Sequence, residues 1–305
     1  MIHFTLKRIL WSIPTLWLIA TLTFLFLRLI PGGPFDQERQ LSPEIQQNLE
    51  KRYGLDQPLL IQYFRYLNGL IHLDPGPSLK YLGRSTKEII SETLPISIQL
   101  GLLALFLAVI LGMPLGILAA AKKNTKIDQA VILITSISIS LPNFVFAAFL
   151  VLIFSFQLQW LPPALWEGPR YMVMPALCLA LYPLAYIARL TRTALLDSLS
   201  QEFIQTARAK GLKESQIILK HALKNSLTSV VSILGPITAA LITGSFIIEY
   251  IFAIPGMGQY FVTAVTNRDY PLVLGVTMVY SLFVIFFNFL VDCSYRLLDP
   301  RVKLQ

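Results

Sequence analysis

Six stretches of the chain carry no charged residue over a length close to the thickness of a bilayer. They are residues 9–27, 96–121, 129 to about 156, 171–188, 225–248 and 270–291. A helix crosses the hydrocarbon layer in about 20 residues, so the pattern predicts six membrane-spanning helices. The third run stays uncharged as far as Trp166, but Leu161-Pro162-Pro163 predicts that its helix stops earlier. Between the first two runs the pattern changes. Pro43–Tyr53 and residues 58–70 read as short amphipathic helices, with turn signals at Asp56-Gln57-Pro58 and Asp74-Pro75-Gly76-Pro77. The first run is longer than the core of a cleavable leader, and no small-x-small site follows it, so it is expected to remain as a span.

Composition agrees with this pattern: 55% of residues are hydrophobic and 14% charged, against about 25% charged in soluble domains. The net charge of +8 has a spatial reading. Lys7 and Arg8 precede the first run, and Lys122, Lys123 and Lys126 follow the second. Arg189, Arg192, Arg208, Lys210, Lys213, Lys220 and Lys224 surround the loop after the fourth, and Arg296, Arg301 and Lys303 follow the sixth. The opposite short loops hold only Arg170 and Arg268. Short cytoplasmic loops collect Lys and Arg, so both termini are expected in the cytoplasm and the long segment 31–95 outside. Basic residues spread over several membrane-flanking loops are not a nucleic-acid surface.

Little in the chain suggests chemistry. Cys178 and Cys293 lie within or at the end of apolar runs, and His3, His72 and His221 are far apart, so neither a disulfide framework nor a metal set is expected. No phosphate loop of the G-x-x-x-x-G-K-[ST] type occurs, nor H-E-x-x-H, nor G-x-S-x-G. An enzyme is therefore not expected, and no cofactor. A proton-coupled secondary transporter would carry ionisable residues deep in its spans. Arg28, Arg189, Glu249 and Asp292 fall near run ends instead. Glu249 reads as an interfacial anchor, a partner for Arg268, or a polar contact at an outer gate or at the docking surface of an external partner, and the sequence leaves these open. Proline recurs in or near the runs, at positions 14, 114, 142, 175, 183 and 236, as suits a kinked bundle.

Residues 202–227 stand apart, being basic and amphipathic between two apolar runs. A short helix ending near Gly211 and a second starting near Lys213 are expected. Phe203, Ala207 and Gly211 share a face at i, i+4, i+8 spacing, with Ile204 beside them. Small residues at Ala207, Ala209 and Gly211 would permit close approach of a partner, and Gly211 suits a left-handed helix end. Arg208, Lys210 and Lys213 fall at the rim. The amphipathic pattern alone better describes a basic helix lying on anionic lipid.

The segment Gln205-Thr206-Ala207-Arg208-Ala209-Lys210-Gly211-Leu212, followed by His221-Ala222-Leu223-Lys224-Asn225, resembles the cytoplasmic "EAA" loop of ABC-importer permeases. Gln205 and Thr206 replace the consensus Glu and first Ala, and His221 and Lys224 replace Ile and Pro, whereas Ala207, Gly211 and Leu223 match. This variant is similar to the one in the peptide-importing branch. Lys7-Arg8-Ile9, Leu29-Ile30-Pro31-Gly32-Gly33-Pro34, Tyr53-Gly54-Leu55-Asp56-Gln57-Pro58-Leu59, the stretch Ile248 to Gln259, Asn267-Arg268-Asp269-Tyr270-Pro271 and Asp299-Pro300-Arg301 resemble that branch as well. Leu73-Asp74-Pro75-Gly76 departs from it.

The resemblance, closest to the B-type oligopeptide permease, implies an all-α, polytopic inner-membrane protein with six transmembrane helices and the type I ABC-importer fold. It implies three parts: residues 1–93, a first span plus a periplasmic segment; residues 94–298, a five-helix transmembrane domain; and residues 299–305, a cytoplasmic tail. It further implies a second, homologous permease subunit, two cytoplasmic ATP-binding subunits, a periplasmic peptide-binding protein and a peptide substrate. Phe203, Ile204, Thr206, Ala207, Arg208, Ala209, Lys210 and Gly211 would form the ATPase-coupling loop. Importers of dipeptides, nickel or glutathione use similar permeases, so substrate class stays open here.

Overall fold

The computed structural model describes residues 2–30, 33–35 and 43–298. All regular structure in the described residues is helical. In chain order the helices are α1 (Ile2–Leu29), α2 (Pro43–Tyr53), α3 (Leu59–Ile71), α4 (Thr86–Ala121), α5 (Lys126–Ser140) and α6 (Asn143–Leu150). They continue as α7 (Pro169–Leu199), α8 (Glu202–Ala209), α9 (Glu214–Gln216), α10 (Leu223–Ile242), α11 (Phe246–Ile251), α12 (Met257–Thr266) and α13 (Tyr270–Leu298). Wider π-helical turns extend α6 over Val151–Gln157 and join α9 to α10 over Ile217–Ala222.

Five helical stretches are long and apolar enough to cross a membrane, and a sixth crossing results if the bent pair Lys126–Ser140 and Asn143–Gln157 is one span. That pair turns by 105° at Leu141-Pro142, where Pro142 removes a backbone donor and disfavours helical angles at Leu141. The third expected run is thus a broken element that ends at Gln157, before Leu161-Pro162-Pro163. The two helices expected between the first runs are α2 and α3. The fifth expected run, 225–248, is corrected: its helix stops at Ile242, and Thr243-Gly244-Ser245 separates it from α11.

Side-chain size sets the packing. Helices α4 and α7 lie side by side, with Gly112 against the backbone of Leu184 and Gly116 against Ala188 and Thr191. Gly101 of α4 meets the backbone of Leu241 in α10 in the same way. Without a hydrophobic drive between helices in lipid, such small residues admit the close backbone contacts that hold spans together. The main core gathers Leu100, Ala104, Ala108, Met174, Leu179, Ile187, Val230 and Leu241 from these three helices. A second core joins α1, α3, α12 and α13 through Phe24, Tyr66, Met257 and Leu272. A third lies under α8.

Candidate functional site

Helix α8 presents one face to its own chain. Ile204 is fully buried and Ala207 nearly so, packed with Ala120, Leu195, Ile217 and Ala222. Phe203, Gln205, Thr206, Arg208, Ala209, Lys210 and Gly211 are exposed. The expected shared face of Phe203, Ala207 and Gly211 is therefore corrected. Ile204 and Ala207 anchor the helix to the bundle, and the outward face belongs to Phe203, Thr206 and Lys210.

The turn after α8 forms as the sequence suggests. Gly211 has φ +76° with open space around it. Its N–H donates to Arg208 O at 2.9 Å, and Leu212 N–H donates to Ala207 O at 3.4 Å. This is the paired-bond helix stop that a left-handed residue completes. Across the turn Arg208 Nε donates to Glu214 Oε1 at 2.7 Å, and this bond raises the guanidinium above its ordinary pKa. His221 is exposed in the π turn.

One turn of helix away lies a pair the sequence did not advertise. Arg192 of α7 donates from Nε and Nη2 to the two Asp128 oxygens, at 2.6 and 2.8 Å, and Asn124 N–H donates to the same carboxylate at 2.9 Å. Asp128 is 2% exposed. The planar guanidinium fork matches a carboxylate bidentately, so the pair fixes where α5 begins against α7.

The opposite end of the bundle is organised by two other carboxylates. Glu249 on α11 is completely buried. Ser97 Oγ on α4 donates to Glu249 Oε1 at 2.8 Å, and Met257 N–H donates to Ser97 Oγ at 2.8 Å. Glu249 Oε2 accepts the backbone N–H groups of Gly258 and Gln259 at 2.8 and 3.2 Å. The carboxylate therefore satisfies the orphan donors at the start of α12, where the helix dipole also favours negative charge. It is neither an interfacial anchor nor the partner of Arg268, whose Nη1 donates to Gly33 O at 3.1 Å. Asp269, also fully buried, accepts from Ser78 Oγ, from Leu79 N–H at 3.1 Å and from Leu272 N–H at 3.4 Å. The segment before α4 is thereby joined to the start of α13.

Among the described residues no cluster of His, Cys, Asp or Glu is arranged to hold a metal ion. The buried carboxylates accept hydrogen bonds from backbone, hydroxyl and guanidinium groups, and each joins separate elements of the fold.

Comparison with known proteins agrees with this picture. Residues 112–304 match the family described as "Binding-protein-dependent transport system inner membrane component", and residues 1–78 match that family's N-terminal region. The dipeptide transport system permease protein DppB of Bacillus subtilis is 45% identical over all of this chain and 99% of its own length. The oligopeptide transport system permease protein OppB of Escherichia coli K12 is also 45% identical, over 99% of this chain and all of its own. Among solved structures, the MetNI methionine ABC transporter in an inward-facing conformation covers 69% of this chain with a TM-score of 0.59 at 19% identity, a likeness of fold. A helical bundle of apolar spans, an anchored amphipathic loop helix and full-length similarity to two permeases converge on one assignment: this chain belongs to the family of binding-protein-dependent transport system inner membrane components.

Proposed function

We propose that the chain is one membrane half of an ATP-driven peptide importer. Likeness along the whole chain to permeases of dipeptide and oligopeptide systems carries the reading. The two relatives are equally similar, so identity does not divide short from longer peptides. In this reading six spans cross the inner membrane with both termini in the cytoplasm, residues 94–298 supply the transmembrane domain and residues 1–93 the first span and a periplasmic segment. A second permease completes the path, two ATP-binding subunits dock below, and a binding protein delivers peptide from above. The tail 299–305 lies outside the described residues.

Helix α8 is the coupling element of this scheme. An amphipathic helix whose inner face is buried in the bundle presents its outer face to a groove on a partner. Phe203, Thr206, Arg208, Ala209 and Lys210 would meet the motor, while Ile204 and Ala207 would pass its movement to α7 and α10 through the packing under α8.

The test is to isolate the assembled complex through a tag on this chain, reconstitute it with its binding protein and measure uptake of labelled di- to pentapeptides with ATP. ATP-dependent accumulation supports the reading. Peptide accumulation by this chain alone under a proton gradient would instead establish a secondary transporter.

A further inference from the structure

From Tyr182 onward the exposed residues of helix α7 are all polar: Tyr182, Tyr186, Arg189, Thr193 and Asp197. The exposed side of its neighbour α4 is apolar over the corresponding depth, with Ile110, Leu111 and Leu118. Depth follows from the packing. Gly112 sits against Leu184 and Gly116 against Ala188, so the middle of the uncharged run 96–121 lies level with about Leu181. Tyr182 is also ten residues along α7 from Arg192, or about 15 Å at helical rise, which is half the hydrocarbon thickness. Tyr182 and Tyr186 stack with ring centroids 6.3 Å apart. Two exposed phenols near the bilayer centre are a poor face for lipid tails, because their hydroxyls would lack partners there.

A groove opens beside Tyr182, with a volume of about 350 Å³. Its walls include Asn143, Pro183, Ile237, Gly244 and Ser245. Two chain breaks converge on it: the bend at Leu141-Pro142 just before Asn143, and the gap between α10 and α11 at Thr243-Gly244-Ser245. Non-helical backbone within a membrane protein is tolerated where it is buried or lines a water-filled cavity. Here both breaks border an open groove. None of the described residues lining it is charged.

We propose that this groove, with Tyr182 at its rim, is a transit subsite for the main chain of a peptide substrate. The inference rests on the peptide-importer reading. An extended peptide needs hydrogen-bonding groups for its amides and room for side chains of any kind. Phenol, carboxamide and hydroxyl groups over a floor of Pro183, Ile237 and Leu241 supply that chemistry. The absence of charge from the lining means that the subsite reads neither the termini nor charged side chains. Selection by charge must then occur elsewhere in the transport system.

The test uses the complete transporter in vesicles, with Cys178→Ala and Cys293→Ala as background and single substitutions Tyr182→Cys, Ala240→Cys or Ile110→Cys. A water-soluble thiol reagent is applied during ATP turnover, with and without peptide. Positions 182 and 240 should react and position 110 should not. Peptide at ten times its half-saturating concentration should slow labelling at 182 and 240 about tenfold, as single-site occupancy requires. In parallel, Tyr182→Phe should raise the half-saturating peptide concentration about fivefold, the worth of one ordinary hydrogen bond. Labelling that peptide does not slow, or no labelling at 182 in vesicles that import peptide, overturns the subsite while leaving the importer reading intact. Parent vesicles that import no peptide overturn both.

Discussion

Ser97 and Glu249, 152 residues apart, share a 2.8 Å hydrogen bond inside the bundle, and the same serine oxygen accepts the first N–H of α12. Together they clip the α11–α12 connection onto α4. Glu249→Ala strands the N–H groups of Gly258 and Gln259, at about 1–3 kcal/mol for each unsatisfied group. Ser97→Ala, which leaves those two bonds in place, should cost less. Thermal unfolding in detergent should rank parent, Ser97→Ala and Glu249→Ala in that order. Equal loss for both variants would mean that the serine, not the carboxylate, organises the loop.

Space around Glu249 is reserved by glycine. A Cβ at Gly256 would press on the Glu249 carboxylate, 2.7 Å from its Cδ, as well as 2.7 Å from Ser97 Oγ, and one at Gly258 would fall 2.9 Å from Glu249 Oε2. Gly256→Ala should therefore destabilise the parent by about 1–3 kcal/mol, the usual cost of overpacking. On a Glu249→Ala background the penalty should shrink, since the displaced carboxylate is gone. A double-mutant cycle in detergent measures the difference, and strict additivity would contradict the shared site.

The Asp128–Arg192 pair predicts an asymmetric response. Arg192→Ala leaves a buried carboxylate uncompensated, and breaking such a pair costs about 3–5 kcal/mol. Asp128→Asn with Arg192 intact should cost less, because Arg192 is partly exposed and regains water. Membrane abundance and melting temperature of the two variants provide the comparison. Arg192→Lys should rescue only in part, for want of the second parallel bond.

Coupling through α8 separates into anchor and contact. Ala207→Asp places a carboxylate inside the packing under α8 and should lower folded protein in the membrane. Phe203→Asp, on the exposed side, should leave abundance unchanged and reduce substrate-stimulated ATP hydrolysis by the assembled complex. Gly211→Val should impair both, since a left-handed backbone costs a side-chain-bearing residue about 1–2 kcal/mol. Normal stimulation in Phe203→Asp would remove the outer face of α8 from the contact.

Orientation can be tested at Leu82 and Gln216. Ser78 looks a natural labelling position from its loop composition, but its side chain is 1% exposed and bonded to Asp269. Leu82 is 74% exposed and Gln216 is exposed at the other end of the bundle. Leu82→Cys should react with an impermeant reagent on intact cells, and Gln216→Cys only after permeabilisation. The reverse result would invert the topology and detach α8 from any cytoplasmic motor.

The helices were legible in the sequence wherever one property dominates. Uncharged length marks α1, α4, α7, α10 and α13, and the turn residues around Pro43–Tyr53 and Asp74-Pro75-Gly76 mark the short helices between. Gly211 was legible because a small residue at the end of an amphipathic run has one obvious backbone use. The face of α8 was not. Its spacing groups Phe203 with Ala207, but the direction of burial depends on Ala120, Leu195 and Ile217, which are distant in the chain. Glu249 misled for a related reason. A carboxylate beside aromatic residues at the end of an apolar run looks interfacial, and only the fold brings Ser97 and the amides of α12 around it. The polar stripe on α7 was present in the spacing of Tyr182, Tyr186, Arg189 and Thr193, but hydrophobic averaging over the whole run conceals it.

The clasp at Asp269 has a mechanical consequence. By holding Ser78 and Leu79 at the start of α13, it makes the segment before α4 a passenger on that helix. Helix α13 is 29 residues long, a rod of about 43 Å. A tilt of about 10° displaces one end of such a rod by about 7 Å relative to the other. A small rotation started near Leu298 would thus arrive at Ser78 as a stroke wider than a side chain. Whatever rests on that surface would register the swing of the span without touching it.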